Sequence, residues 1–87
     1  MQTQPQQSIG YCEKAIVTFI HGYLAQNQCA PTFREIAEGV GLAVSPTRRW
    51  LEKLRDKGWL RWEPKPRSFQ LWFQFQRQEE HEQENLA

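Results

Sequence analysis

Cysteine is scarce: the 87 residues hold two, Cys12 and Cys29, and neither sits in a C-x-x-C pair. That excludes a disulfide framework and a cysteine-based zinc site. With a helix expected over residues 12 to 26, the two thiols lie at or beyond its opposite ends, roughly 20 Å apart at 1.5 Å per residue, so a bridge within the chain is not expected. No apolar run approaches the roughly 18 residues of a membrane span. The opening MQTQPQQ lacks a basic region followed by an apolar one, so no secretory signal is read and a cytoplasmic location is expected. Net charge is small as well, at +1.

What the chain does have is aromatic residues and an uneven charge. Four Trp, five Phe and two Tyr let a short chain bury enough apolar area to offset its conformational entropy, and the length suits one small domain. Residues 1–43 carry two cations against three acids. Residues 44–67 carry eight cations (Arg48, Arg49, Lys53, Arg55, Lys57, Arg61, Lys65, Arg67) against three acids. Residues 68–87 carry Arg77 against Glu79, Glu80, Glu82 and Glu84. A basic centre lies between weakly acidic and acidic ends.

Hydrophobic periodicity predicts three helices and then a hairpin. Ser8 can cap a first helix to about Gln26, with Cys12, Ile16, Phe19, Ile20, Tyr23 and Leu24 on one apolar stripe and Cys12 buried there. After NQCAP, Thr32-Phe33-Arg34-Glu35 reads as a capping box for a short second helix that turns Phe33, Ile36, Ala37 and Val40 inward and ends between Gly39 and Gly41. The third helix is expected over 45–57, with Ser45 as N-cap, Pro46 at N1 and a Lys57-Gly58 stop. At 100° per residue Thr47, Leu51 and Leu54 face the core with Trp50 on the flank, and Ser45, Arg49, Glu52, Lys53 and Asp56 face out with Arg48 and Arg55 at the margin. Beyond Gly58 the period changes to two: Leu60 and Trp62, a stiff basic turn at 64–67, then Phe69, Leu71 and Phe73.

The fold class that follows is α+β, mostly helical: a three-helix winged helix-turn-helix with a C-terminal β-hairpin wing. A flexible arm is expected at 1–8, the winged domain at 9–75 and an acidic, Gln/Glu-rich tail at 76–87.

The runs APTFREIAEGVGL, SPTRRWLEKLRDKGWL and PRSFQLW resemble the DNA-binding domain of the LexA repressor family, in which a P-P-T-x-x-E-I-A-x-x-L-G segment precedes an S-P-containing recognition helix. The resemblance covers about residues 14–73 and rests most on Pro31, Thr32, Glu35, Ile36, Ala37, Ser45, Pro46, Lys57 and Gly58. It implies a bacterial or phage-like regulator of transcription that binds DNA. The family's self-cleaving peptidase domain has no counterpart in these residues, so no autoproteolysis is expected of them.

The residues argue for DNA on their own terms. A major groove about 12 Å wide admits one helix, which needs exposed donors near its N-terminus. Ser45, Thr47, Arg48, Arg49 and Lys53 are the candidates, and a guanidinium fork can take a guanine edge or a phosphate. Thr32 and Arg34 are expected on the DNA backbone, and Lys65 and Arg67 of the wing on an adjacent phosphate or in the minor groove. Glu52 and Asp56 share the outward face and oppose phosphate. The competing reading is a protein-interaction module, in which Trp59 and Trp72 form an exposed interface for a replication or transcription partner or for a homodimer. Catalysis is not expected, since Ser45, His21 and Asp56 form no paired set. Nor do His21 and His81 have the partners of a metal site, and no cofactor or small-molecule ligand is evident.

Overall fold

Helix α1 (Tyr11–Asn27) begins at Gly10 rather than at the expected Ser8. The Gly10 N–H donates to Glu13 Oε1 at 3.0 Å, so the cap comes from inside the first turn. Ile16 and Ile20 are fully buried on this helix, with Phe19, Tyr23 and Leu24 beside them half-buried. Cys12, expected in the core, is exposed. The buried residue beside it is Glu13, which faces the C-terminal end of the third helix through Lys57.

Only residues 8–75 of this computed structural model are described here, so most of the predicted arm and all of the acidic tail lie outside the described residues. The next helix, α2 (Phe33–Val40), opens with the capping box read from the sequence: Glu35 N–H donates to Thr32 Oγ1 at 3.1 Å and Thr32 N–H to Glu35 Oε1 at 2.9 Å. It ends on Gly41 at φ 76°, a left-handed conformation that costs glycine little. Gly39 answers a different need, since a Cβ there would run into the Phe19 ring; its absence lets α1 and α2 close together.

Helix α3 (Val44–Asp56) has its cap two residues earlier than expected. Ala43 is the N-cap, and the Thr47 N–H and hydroxyl both donate to the Ala43 carbonyl, at 3.2 and 2.8 Å. Ser45 and Pro46 therefore lie inside the first turn and Ser45 caps nothing. The stop matches expectation: Gly58 has φ 87°, and the Trp59 N–H returns to the Leu54 carbonyl at 2.9 Å.

Strands β1 (Leu60–Arg61) and β2 (Gln70–Leu71) pair antiparallel, Leu60 opposite Leu71 and Arg61 opposite Gln70. The hairpin is shorter than its alternation suggested, because residues 72–75 turn into helix instead of continuing the strand through Phe73. Gln74 Oε1 accepts the Leu71 N–H at 2.9 Å and so caps that turn. The architecture is a winged helix-turn-helix. Its core joins Ile16, Ile20, Ile36, Leu51, Leu54, Leu60, Phe69 and Leu71 from all five elements. No helix among the described residues is long and apolar enough to cross a membrane.

One charged pair sits against that core. Glu13 has 4% of its side chain exposed and meets the Lys57 ammonium at 3.0 Å, while Lys57 also donates to the Ser8 carbonyl at 3.3 Å. Burial pushes the Glu13 pKa up, but the Gly10 N–H and the Lys57 ammonium outweigh it and leave it below the usual value. Removing one member of such a pair strands the other's charge. Lys57→Met is expected to destabilise the domain by about 2–4 kcal/mol in urea unfolding, and adding Glu13→Gln should recover part of the loss. Equal stability of Lys57→Met and the unmodified protein would remove the pair from the account.

Candidate nucleic-acid interface

The open face of α3 carries Ser45, Arg48, Arg49 and Lys53, all exposed. Among the described residues nothing hydrogen-bonds or ion-pairs with Arg49, which leaves its guanidinium fork fully available. Arg48 lies over the Phe33 ring at 5.0 Å and makes only a loose 3.9 Å contact with Glu52. Lys53 lies over Trp50 at 4.7 Å, and Arg55 over Trp62 at 4.5 Å. These ring contacts hold long side chains upright without neutralising them, because a ring face attracts a cation but carries no net charge. The repulsion expected from Glu52 is thus partly offset by Arg48.

Beside α3 runs a groove whose floor is aromatic and whose rim is basic. Phe33, Trp62 and Phe69 pack edge to face or tilted, with centroids 5.0–5.6 Å apart. Arg48 and Arg55 rim it from α3, Arg34 from the start of α2, and Lys65 from the wing. Arg34 is exposed and has no partner among the described residues. The Thr32 hydroxyl accepts the Glu35 N–H and keeps its own proton to donate. Lys65 pairs with Glu63 at 3.2 Å, but both side chains are about two-thirds exposed, so the pair is weak and exchangeable for a phosphate.

Two expected contacts are corrected. Thr47 is fully buried with its hydroxyl spent on Ala43, so it belongs to the core and presents nothing to a groove. Arg67 does not reach outward from the wing tip. Its backbone is left-handed, at φ 56°, which swings the side chain back across the domain. There the guanidinium takes both oxygens of Glu35, at 2.9 and 3.1 Å, the Tyr23 hydroxyl at 3.0 Å and the Ala30 carbonyl at 3.2 Å. One side chain therefore ties the wing to the start of α2 and the end of α1. The loop it leaves is itself closed by Ser68, whose hydroxyl accepts the Glu63 N–H at 2.9 Å and donates back to the loop carbonyls of Glu63 and Lys65.

The tryptophan surface is also corrected. Trp59 and Trp72 are half-buried rather than exposed; Trp59 packs on the core, and Trp72 sits edge-on to Phe73 at 5.8 Å. The Trp72 N–H donates to the Trp59 carbonyl at 2.8 Å. Of the large apolar residues described, Tyr11 and Val44 are the exposed ones. Sequence reasoning passed over Arg55 and Trp62 as a stacked pair at the groove, though a cation one helical turn before a stop and an aromatic on the following strand was a usable signal. It also passed over Tyr23 and Glu35 as partners of Arg67, for which local spacing held no signal.

A helix-turn-helix whose second helix shows an exposed basic face, flanked by a hairpin wing, defines a winged-helix DNA-binding domain. Residues 7–68 match the family described as the LexA DNA binding domain, and the chain belongs to that family. It is also 43% identical over 65 residues to the LexA repressor of Carboxydothermus hydrogenoformans, a match that covers 72% of this chain and 32% of that repressor. The chain thus corresponds to about a third of that relative's length.

The Arg67 fork, helped by the Thr32 N–H, holds the Glu35 carboxyl down at about 2. A carboxyl lowered on folding stabilises the fold fully above its ordinary 4.5 and loses that contribution as pH falls through about 2. Glu35→Gln is therefore expected to flatten the acid limb of the stability curve between those values, as read by urea unfolding at stepped pH. An acid limb unchanged by the substitution would place the titration elsewhere.

Proposed function

We propose that this domain binds double-stranded DNA in a sequence-specific manner as the reading module of a transcriptional regulator, with α3 in the major groove and the wing on the phosphate backbone. The observation that carries the reading is the free Arg49 fork beside Arg48 on the open face of α3, with Ser45 at its N-terminal end. Arginine in that position can take guanine O6 and N7 together, which reads a base rather than only a charge. Lys53 one turn further on and Arg34 at the start of α2 are suited to phosphates either side of the groove, and the Thr32 hydroxyl adds a neutral donor there. Lys65 serves as the wing's phosphate contact by leaving Glu63.

Further support comes from the relative named a repressor, whose match covers 72% of this chain. The role is binding and not catalysis, and it places the protein with the chromosome in the cytoplasm. Reading a two-fold operator takes two copies of such a domain, so a homodimer belongs to the proposal. The partner-docking alternative loses the feature that favoured it, since Trp59 and Trp72 are half-buried.

Fluorescence anisotropy on specific and random duplexes across a salt series tests the division of labour. Arg49→Ala is expected to cost about 1–3 kcal/mol on the specific site and much less on random DNA. Lys65→Ala should weaken both duplexes alike and reduce the salt slope by about 0.9. Absence of salt-sensitive binding by the unmodified protein would overturn the reading.

A further inference from the structure

Glu35 presents a difficulty for any DNA complex of this domain. Its carboxylate lies at the mouth of α2, 2.9 Å from the Thr32 N–H, where the helix N-terminus and the neighbouring Arg34 and Thr32 side chains would otherwise favour an anion. A phosphate meeting Thr32 and Arg34 would come within about one helical turn, ~6 Å, of that negative charge. At such a separation, near the surface, like charges repel enough to weaken binding several-fold. Yet the same carboxylate is needed where it is, because it completes the cap of α2.

We infer that Arg67 is a screening residue for DNA: by gripping both oxygens of Glu35 it neutralises the carboxylate at the phosphate approach. The inference rests on the reading that Thr32 and Arg34 meet the DNA backbone. Three observations converge on it. The fork is two-pronged, at 2.9 and 3.1 Å, which fixes the guanidinium plane as a single contact would not. The Nη1 group that meets Glu35 also reaches the Tyr23 hydroxyl and the Ala30 carbonyl, so the side chain is held from α1 and from the α1–α2 connection together. Arg67 also adopts a left-handed backbone that side chains seldom take, and this is the conformation that turns its guanidinium toward Glu35 and away from the wing's outer surface. A phosphate ligand would need none of these. The hairpin has only two paired residues on each strand, so its orientation depends on contacts of this kind.

The alternative role, direct phosphate contact by Arg67, makes opposite forecasts, and a double-mutant cycle separates the two. Random-duplex binding is measured by anisotropy for the unmodified protein, Arg67→Ala, Glu35→Gln and the double variant, with thermal melting of each confirming that it is folded at the assay temperature. Screening predicts that Arg67→Ala weakens binding about five- to tenfold. It also predicts that adding Glu35→Gln restores most of the loss although the clamp is absent from both variants, and that the salt slope keeps its full count of phosphates. Arg67→Lys should rescue partly, restoring the charge without the fork. If the double variant binds as weakly as Arg67→Ala, with a slope lower by about 0.9, Arg67 is a phosphate ligand and the inference is wrong. Failure of the unmodified protein to bind at all would overturn the DNA reading and this inference with it, whereas retained binding without rescue overturns only the inference.

Discussion

The Glu35 carboxylate is asked to close the start of α2 and to hold the wing, and the arrangement of the domain follows from its doing both. One oxygen accepts the Thr32 N–H while the pair of them grips Arg67. The helix-turn-helix and the hairpin thereby share an anchor at the place where two of the three helices meet. A hairpin with two residue pairs has too few hydrogen bonds of its own to stand free. It gains its place from this ion pair on one side and from Leu60, Phe69 and Leu71 inserted in the core on the other. The apolar contacts supply the larger share of the stability, and the fork supplies direction, which burial alone does not.

The basic face of α3 depends on the same division. Thr47, Leu51 and Leu54 are buried, so rotation of the helix about its axis is set by packing, and Ser45, Arg48, Arg49 and Lys53 are left outward as a result. Three of the cations near this face rest against aromatic rings, which limits their rotamers before any ligand arrives. Arg49 alone on this face is left without a ring or an acid. Its guanidinium is therefore the one on this face whose orientation no neighbour among the described residues sets.

Much of this was legible in the residues because it is local. The capping box at Thr32–Glu35, the glycine stops at Gly41 and Gly58 and the inward face of α3 all follow from contacts three or four positions apart. The misreadings share a different cause. Ser45 looked like a cap, but the cap is Ala43, two residues earlier, to which Thr47 bonds back. Cys12 was placed in the core because apolarity was taken to decide burial, whereas the buried neighbour is Glu13, whose burial a lysine 44 positions away makes tolerable. Phe73 read as strand until the Gln74 side chain closed a helical turn around it. Arg67 was given to the wing tip because its partners lie 32 to 44 positions away and its backbone is left-handed, neither of which leaves a periodic trace.

The Lys57 ammonium joins the residues that precede α1, through the Ser8 carbonyl, to the very end of α3. Bonds spanning 44 and 49 positions close only when the start of α1 and the end of α3 are brought together. The first helix therefore gains little from forming early and cannot peel away later without exposing a charge that the core has already enclosed. The start of the first helix and the end of the third are thereby tied, and opening one withdraws a charged partner from the other.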